Sequence, residues 1–167
     1  MHATLPRVDV SYRDPMNMVE EIAASENWSY DRCDENEVSL SIPGSFCDYH
    51  VSLSWRPDLD TLHMACVLDL RIPPGKHGEI RELVTRINEN LWLGHFDLWS
   101  ADGGLMFRHG LLLAGGAEAN VEQCRAMIGL GVEACERYLP AFQFLLWAGK
   151  TPRDALAAVL FETLGTA

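Results

Sequence analysis

The chain has 167 residues, of which 48% are hydrophobic and 22% charged, as expected for a single globular domain rather than a disordered or fibrous chain. Thirteen Lys and Arg residues stand against twenty-four Asp and Glu residues, and the resulting net charge of −11 would repel the phosphates of DNA or RNA. No stretch approaches the run of about 18 apolar residues of a membrane helix, and the first residues lack the pattern of a secretory signal. We therefore expect a cytoplasmic protein with neither a nucleic-acid nor a membrane partner.

The first predicted element is a helix over residues 15–26. Asp14 is a candidate N-cap, Pro15 follows at the first helical position, and Met18, Val19 and Ile22 form an apolar stripe. Residues 1–13 show no sustained periodicity, and we expect them to form a loose, flexible N-terminal arm.

Four strands are predicted next, over residues 28–33, 37–42, 47–55 and 61–70. The third is the clearest, because large apolar residues alternate with polar ones, as in a half-buried antiparallel strand. The apolar positions of this strand are Cys47, Tyr49, Val51, Leu53 and Trp55. The break at Arg56-Pro57-Asp58 indicates a hairpin to the fourth strand.

The second half of the chain returns to helical spacing. Ile80, Leu83, Val84 and Ile87 indicate a helix, and strands are predicted over residues 93–100 and 105–113. A long helix begins near Glu118, where we expect Pro140 to kink or restart it, and a final helix spans 151–164. The order α-β-β-β-β-α-β-β-α-α predicts an α+β domain over residues 14–167, with an antiparallel sheet packed against helices.

The five cysteines are an odd number without a CxxC pair, which argues against a disulfide framework. Cys47 and Cys66 fall on the predicted inward faces of strands, and Cys124 and Cys135 on the apolar stripe of the long helix. We expect reduced thiols, four of them poorly accessible.

Two histidines and an aspartate form the one candidate ligand cluster. His95 and Asp97 are two apart on a predicted strand and share a face, and His109 on the paired strand could lie near them. Such donors suit a divalent metal or an acid/base pair, but ordinary surface histidines give the same pattern.

Known catalytic signatures are missing from the sequence. Gly149-Lys150-Thr151 has the ending of a phosphate-binding loop, but Phe144 stands where that motif needs glycine. We therefore predict no enzyme activity and no cofactor.

Four stretches together carry a family resemblance: CDYH at 47–50, NENLWLGHFDLW at 88–99, MFRH at 106–109 and YLPAFQFLLWAGK at 138–150. The chain resembles, over roughly residues 14–164, the YbjN family, which is described as bacterial sensory transduction regulators with a fold similar to type III secretion chaperones. The resemblance implies a homodimeric interaction module. Such a module binds another polypeptide or influences a regulatory pathway. The alternative is a small-ligand or metal-binding domain that uses His95, Asp97 and His109.

The segment 138–147 carries apolar side chains around the whole helical axis. Phe142 lies on one face, whereas Phe144 and Trp147 occupy others, so a single core contact would not bury them all. One hypothesis is that the final helix folds back over them. The other is that Phe142, Phe144 and Trp147 contribute to a surface that a partner or second subunit completes.

Overall fold

The computed structural model describes residues 14–164, with the side chains of the last three left aside, and confirms the α+β architecture over that range. The predicted arm over residues 1–13 lies outside the described residues. Ten helices and strands follow one another in the predicted order. They are α1 (Pro15–Ser25), β1 (Ser29–Asp34), β2 (Glu37–Pro43), β3 (Asp48–Arg56), β4 (Thr61–Leu68), α2 (His77–Asn88), β5 (His95–Leu98), β6 (Leu105–Leu112), α3 (Val121–Ala148) and α4 (Pro152–Leu164).

Two helix starts follow the sequence signals directly. The Asp14 side chain accepts a hydrogen bond of 2.9 Å from the Met16 N–H, and Pro15 occupies the first helical position. At α4, the Thr151 hydroxyl accepts a bond of 3.2 Å from the Asp154 N–H. Both predicted caps are confirmed.

Pro140 does not restart the long helix, contrary to one of the two outcomes we expected. α3 continues from Val121 to Ala148 with Pro140 inside it. Proline lacks the N–H that would bond to the preceding turn, which weakens a helix locally. Leu139, Ala141 and Phe142 on either side of it are buried, and their packing holds the helix in place.

The six strands form one antiparallel sheet in the order β1-β2-β3-β4-β6-β5. β4 pairs with β6, although α2 and β5 lie between them in the chain, and β1 and β5 are the two edge strands. The helices pack on one face of this sheet: α1 contacts β2 and β3, α3 contacts β4 and β6, and α2 contacts β5. The core lies between that face and the helices, and includes Tyr49, Val51, Leu53, Met64 and Phe107.

Cys47 is exposed, and its predicted inward position is wrong. β3 begins at Asp48, one residue later, because the Gly44 N–H donates to the Cys47 carbonyl at 3.0 Å and closes the turn between β2 and β3. Cys33 is exposed as well. Three thiols are buried, those of Cys66, Cys124 and Cys135.

None of the helices between residues 14 and 164 is long and apolar enough to cross a bilayer.

Candidate interaction surfaces

The face of the sheet opposite the helices is here called the open face. Its side chains alternate with the core residues along each strand, so their positions follow from the period of two. It carries Ser52 and Ser54 on β3, Thr61, His63, Ala65 and Val67 on β4, Met106, Arg108 and Leu112 on β6, and His95 and Asp97 on β5. Val67 is 47% exposed and Leu112 67% exposed, so large aliphatic groups of this face meet solvent.

A groove of about 630 Å³ runs over the open face. We call it the open-face groove. It lies across β3, β4 and β6 and is bounded by the side chains of Trp55, Leu59 and Trp99. Leu59 and Trp99 are 57% and 48% exposed. The groove therefore has small polar side chains on its floor and apolar side chains at its edges.

Arg108 organises the polar side chains of this groove. Its Nε donates to Nε2 of His63 at 3.3 Å, and its Nη1 lies 3.4 Å from Oδ2 of Asp97. Partial burial, followed by the positive charge of Arg108, lowers the pKa of His63 below its ordinary value. A neutral imidazole is the form that can accept the bond from Arg108, so the geometry and the pKa agree.

The three residues of the predicted ligand cluster do not share one face. His95 pairs with Arg108 and Asp97 pairs with Met106, which places both on the open face. His109 is opposite Met64 and therefore points to the helix side. The register sets Arg108, not its neighbour His109, directly beside His95. Within residues 14–164, no group of three His, Cys, Asp or Glu side chains is placed to hold a metal ion.

The three aromatic residues of the predicted partner surface separate in the structure. Phe142 is fully buried, with its ring centroid 5.6 Å from that of Phe96, so it belongs to the core and not to a surface. Phe144 is partly buried, and Nζ of Lys150 lies 5.9 Å from its ring centroid. Trp147 is 71% exposed. α4 packs against α3, as one hypothesis expected, but it leaves Trp147 uncovered.

Trp147 borders a second cavity of about 310 Å³, which we call the Trp147 cleft. It lies between α3 and the β2–β3 turn, where Phe46 is 59% exposed. Val67 lines both the Trp147 cleft and the open-face groove. The two concave regions therefore meet at one exposed valine.

Sequence reasoning missed Val67, Arg108 and Trp92 as surface residues. Val67 and Arg108 sit at the alternate positions of strands whose core residues were identified, so the period of two could have pointed to them. Trp92 lies in a run of apolar residues after α2, and the sequence predicts that a strand begins with the next residue, Leu93. In the structure Trp92 stands in the turn before β5 and is fully exposed.

The sequence and the fold are both similar to those of known proteins. The model of the YbjN family, described as "putative bacterial sensory transduction regulator", matches residues 15–144. The chain belongs to the YbjN family. Its fold is similar to that in the crystal structure of YbjN from E. coli, described as "a putative transcription regulator", with a TM-score of 0.52 and 13% identity over 72% of this chain and 85% of that chain. A search of curated proteins gave no match.

Proposed function

We propose that this YbjN-family protein is a non-enzymatic, cytoplasmic regulator that acts by binding another polypeptide in a chaperone-like manner. The family description supports a regulatory role. The observation that carries the binding proposal is the open face, where the open-face groove and the Trp147 cleft meet at the exposed side chain of Val67. Contiguous exposed apolar groups with a polar rim are typical of protein-binding surfaces.

The chemistry of the partner follows from the lining of these cavities. Val67, Phe46 and Trp147 offer apolar contacts, and Trp is the residue type most often found as an energetic anchor of interfaces. The net charge of −11 attracts a basic partner over long range. The proposed partner is therefore a polypeptide segment with apolar anchor side chains and a net positive charge.

The same proposal includes a homodimer as the working state of the protein. Its support is that large apolar side chains remain exposed outside the two cavities, among them Trp92 and Leu130. A second copy of the chain could cover some of them while the open face stays free for the partner.

A small ligand is the alternative occupant of the open-face groove. The volume of about 630 Å³ falls within the range of small-molecule pockets, and Arg108 supplies a guanidinium beside His63. Native mass spectrometry of the purified protein separates the two functions, because a resident ligand adds a discrete mass and a polypeptide binder shows none.

The polypeptide proposal is tested with a matched pair of variants on the open face. Val67→Glu and Leu112→Glu both replace an exposed aliphatic side chain with a carboxylate, but only Val67 lines the two cavities. Affinity capture from the native cell, quantified by mass spectrometry, should yield a partner that is lost with Val67→Glu and retained with Leu112→Glu. Equal capture by the wild type and both variants would contradict the proposal.

A further inference from the structure

The turn between α2 and β5 presents a tryptophan to solvent. Trp92 is 100% exposed, and Leu93 beside it is 54% exposed. A tryptophan that is not buried within the chain contributes little to folding, and its large apolar surface would gain free energy if a contact buried it. Its position leaves the whole side chain available for a contact with another molecule.

The turn that carries Trp92 is held at both ends. Oδ1 of Asn88 accepts from the Phe96 N–H at 2.8 Å, and its Nδ2 donates to the Phe96 carbonyl at 3.0 Å. Gly94 has φ +69°, and a Cβ there would lie 2.9 Å from the Arg108 carbonyl oxygen and collide with the ring of Phe107. The indole is therefore displayed on a constrained support, which reduces the entropy lost on association.

A cavity of about 200 Å³ lies directly beside Trp92. Leu91, Leu130, Ala134 and Tyr138 give it an apolar lining, and Leu130 is 39% exposed. Glu133 and Arg137 also line it, and their side chains form an ion pair of 3.7 Å one helical turn apart on α3. One patch thus contains a projecting apolar group, an apolar hollow, an acid and a base.

We propose that this patch is the two-fold interface between two copies of the chain, with Trp92 of each copy seated in the hollow of the other. The proposal deepens the homodimer of the proposed function and rests on it. A two-fold interface must be complementary to itself, which is the property of a patch that holds both the projection and the hollow. The charges fit in the same way, because two-fold symmetry can set Glu133 against the partner's Arg137 and Arg137 against the partner's Glu133.

The first test compares two exposed tryptophans by sedimentation velocity over a range of protein concentrations. Trp92→Ala should weaken dimerisation by at least about 30-fold, as for an interface hot spot. The matched control Trp147→Ala, which removes a tryptophan that is 71% exposed elsewhere on α3, should leave the dimer unchanged. Circular dichroism should show the same fold for Trp92→Ala and the wild type, because Trp92 is fully exposed on the single chain.

The second test uses charge exchange on α3. Glu133→Arg and Arg137→Glu alone should each weaken self-association, since like charges then meet across the two-fold axis. An equimolar mixture of the two variants should form heterodimers, because every facing pair is again of opposite charge. A mixture that stays as weak as its components would contradict the proposed geometry.

The outcomes separate this inference from the proposal on which it rests. If the wild type and Trp92→Ala are equally dimeric, the Trp92 interface is wrong but the homodimer is not. A wild type that is monomeric at all concentrations would overturn both the homodimer and the interface. Neither result touches partner binding at the open face, which Val67→Glu tests independently.

Discussion

Asn88 joins the end of α2 to the outer side of the edge strand β5, and its loss should destabilise the fold measurably. Both backbone groups of Phe96 bond to the Asn88 side chain, at 2.8 and 3.0 Å. The two groups point away from β6, so the asparagine amide takes the place of a further strand. We expect Asn88→Ala to leave the N–H and the carbonyl of Phe96 without a protein partner.

The size of the effect follows from those two groups. A partly buried backbone group left unpaired costs about 1–3 kcal/mol, and some water access lowers the sum, which gives a loss of roughly 2–4 kcal/mol in the free energy of unfolding. For a domain of this length, that loss corresponds to a thermal midpoint lower by roughly 5–15 °C. Asn88→Asp keeps the acceptor for the N–H but turns a carboxylate oxygen toward the Phe96 carbonyl, and should cost a similar amount.

Denaturation by urea, followed by circular dichroism, measures the change. Asn90→Ala is the matched control, because the Asn90 amide donates to the Arg86 carbonyl at an exposed position of the same helix end. We expect the control to change the free energy of unfolding by less than about 0.5 kcal/mol. A loss below that value for Asn88→Ala would refute the argument that this side chain completes the edge of the sheet.

Three further predictions concern the core, the thiols and a histidine. Phe142→Ala should lower the free energy of unfolding, measured by urea denaturation, by about 3–5 kcal/mol, because the aromatic side chain is fully buried. Trp147→Ala should change it little. Equal effects would contradict the assignment of Phe142 to the core and of Trp147 to the surface. Titration of thiols in the native protein should count two accessible groups, Cys33 and Cys47, and titration after denaturation should count five. Of the two accessible thiols, Cys47 should react more slowly, because partial burial raises the pKa of its thiol. The pKa of His63 is lower in the folded than in the unfolded state. As the pH falls through about 6.5, the unfolded state therefore takes up more protons than the folded state. The free energy of unfolding should decrease from pH 7.5 to 5.5 as a result. His63→Gln should flatten that slope, and an unchanged slope would rule out a contribution from this imidazole.

Local patterns were enough to predict the order of helices and strands. The alternation in β3 and the cap residues at α1 and α4 are short-range signals, and the structure confirms them. The errors arose where a turn or the tertiary packing overrides the pattern of residue types. Cys47 continues the alternating pattern, but the hydrogen bond from Gly44 places it in a turn. Pro140 is a strong local breaker, but the packing on both sides of it keeps α3 continuous.

The surfaces were less predictable than the fold because they depend on register and on strand order. The pairing of β4 with β6, across the intervening α2, brings His63 next to Arg108, residues 45 positions apart. No local pattern indicates which strand neighbours which. The exposure of Trp92 is similarly hidden, since its neighbours Leu91 and Leu93 suggest a buried segment and only the turn geometry directs the indole outward.

Site-specific photocrosslinking in the native cell tests the central claim, that the open face binds a polypeptide. A photoreactive phenylalanine analogue placed at position 67, between the open-face groove and the Trp147 cleft, is compared with the same group at position 112, which is on the open face but outside both cavities. We predict a discrete crosslinked protein from position 67 and none from position 112. No adduct at position 67, or the same adducts from both positions, would contradict the claim.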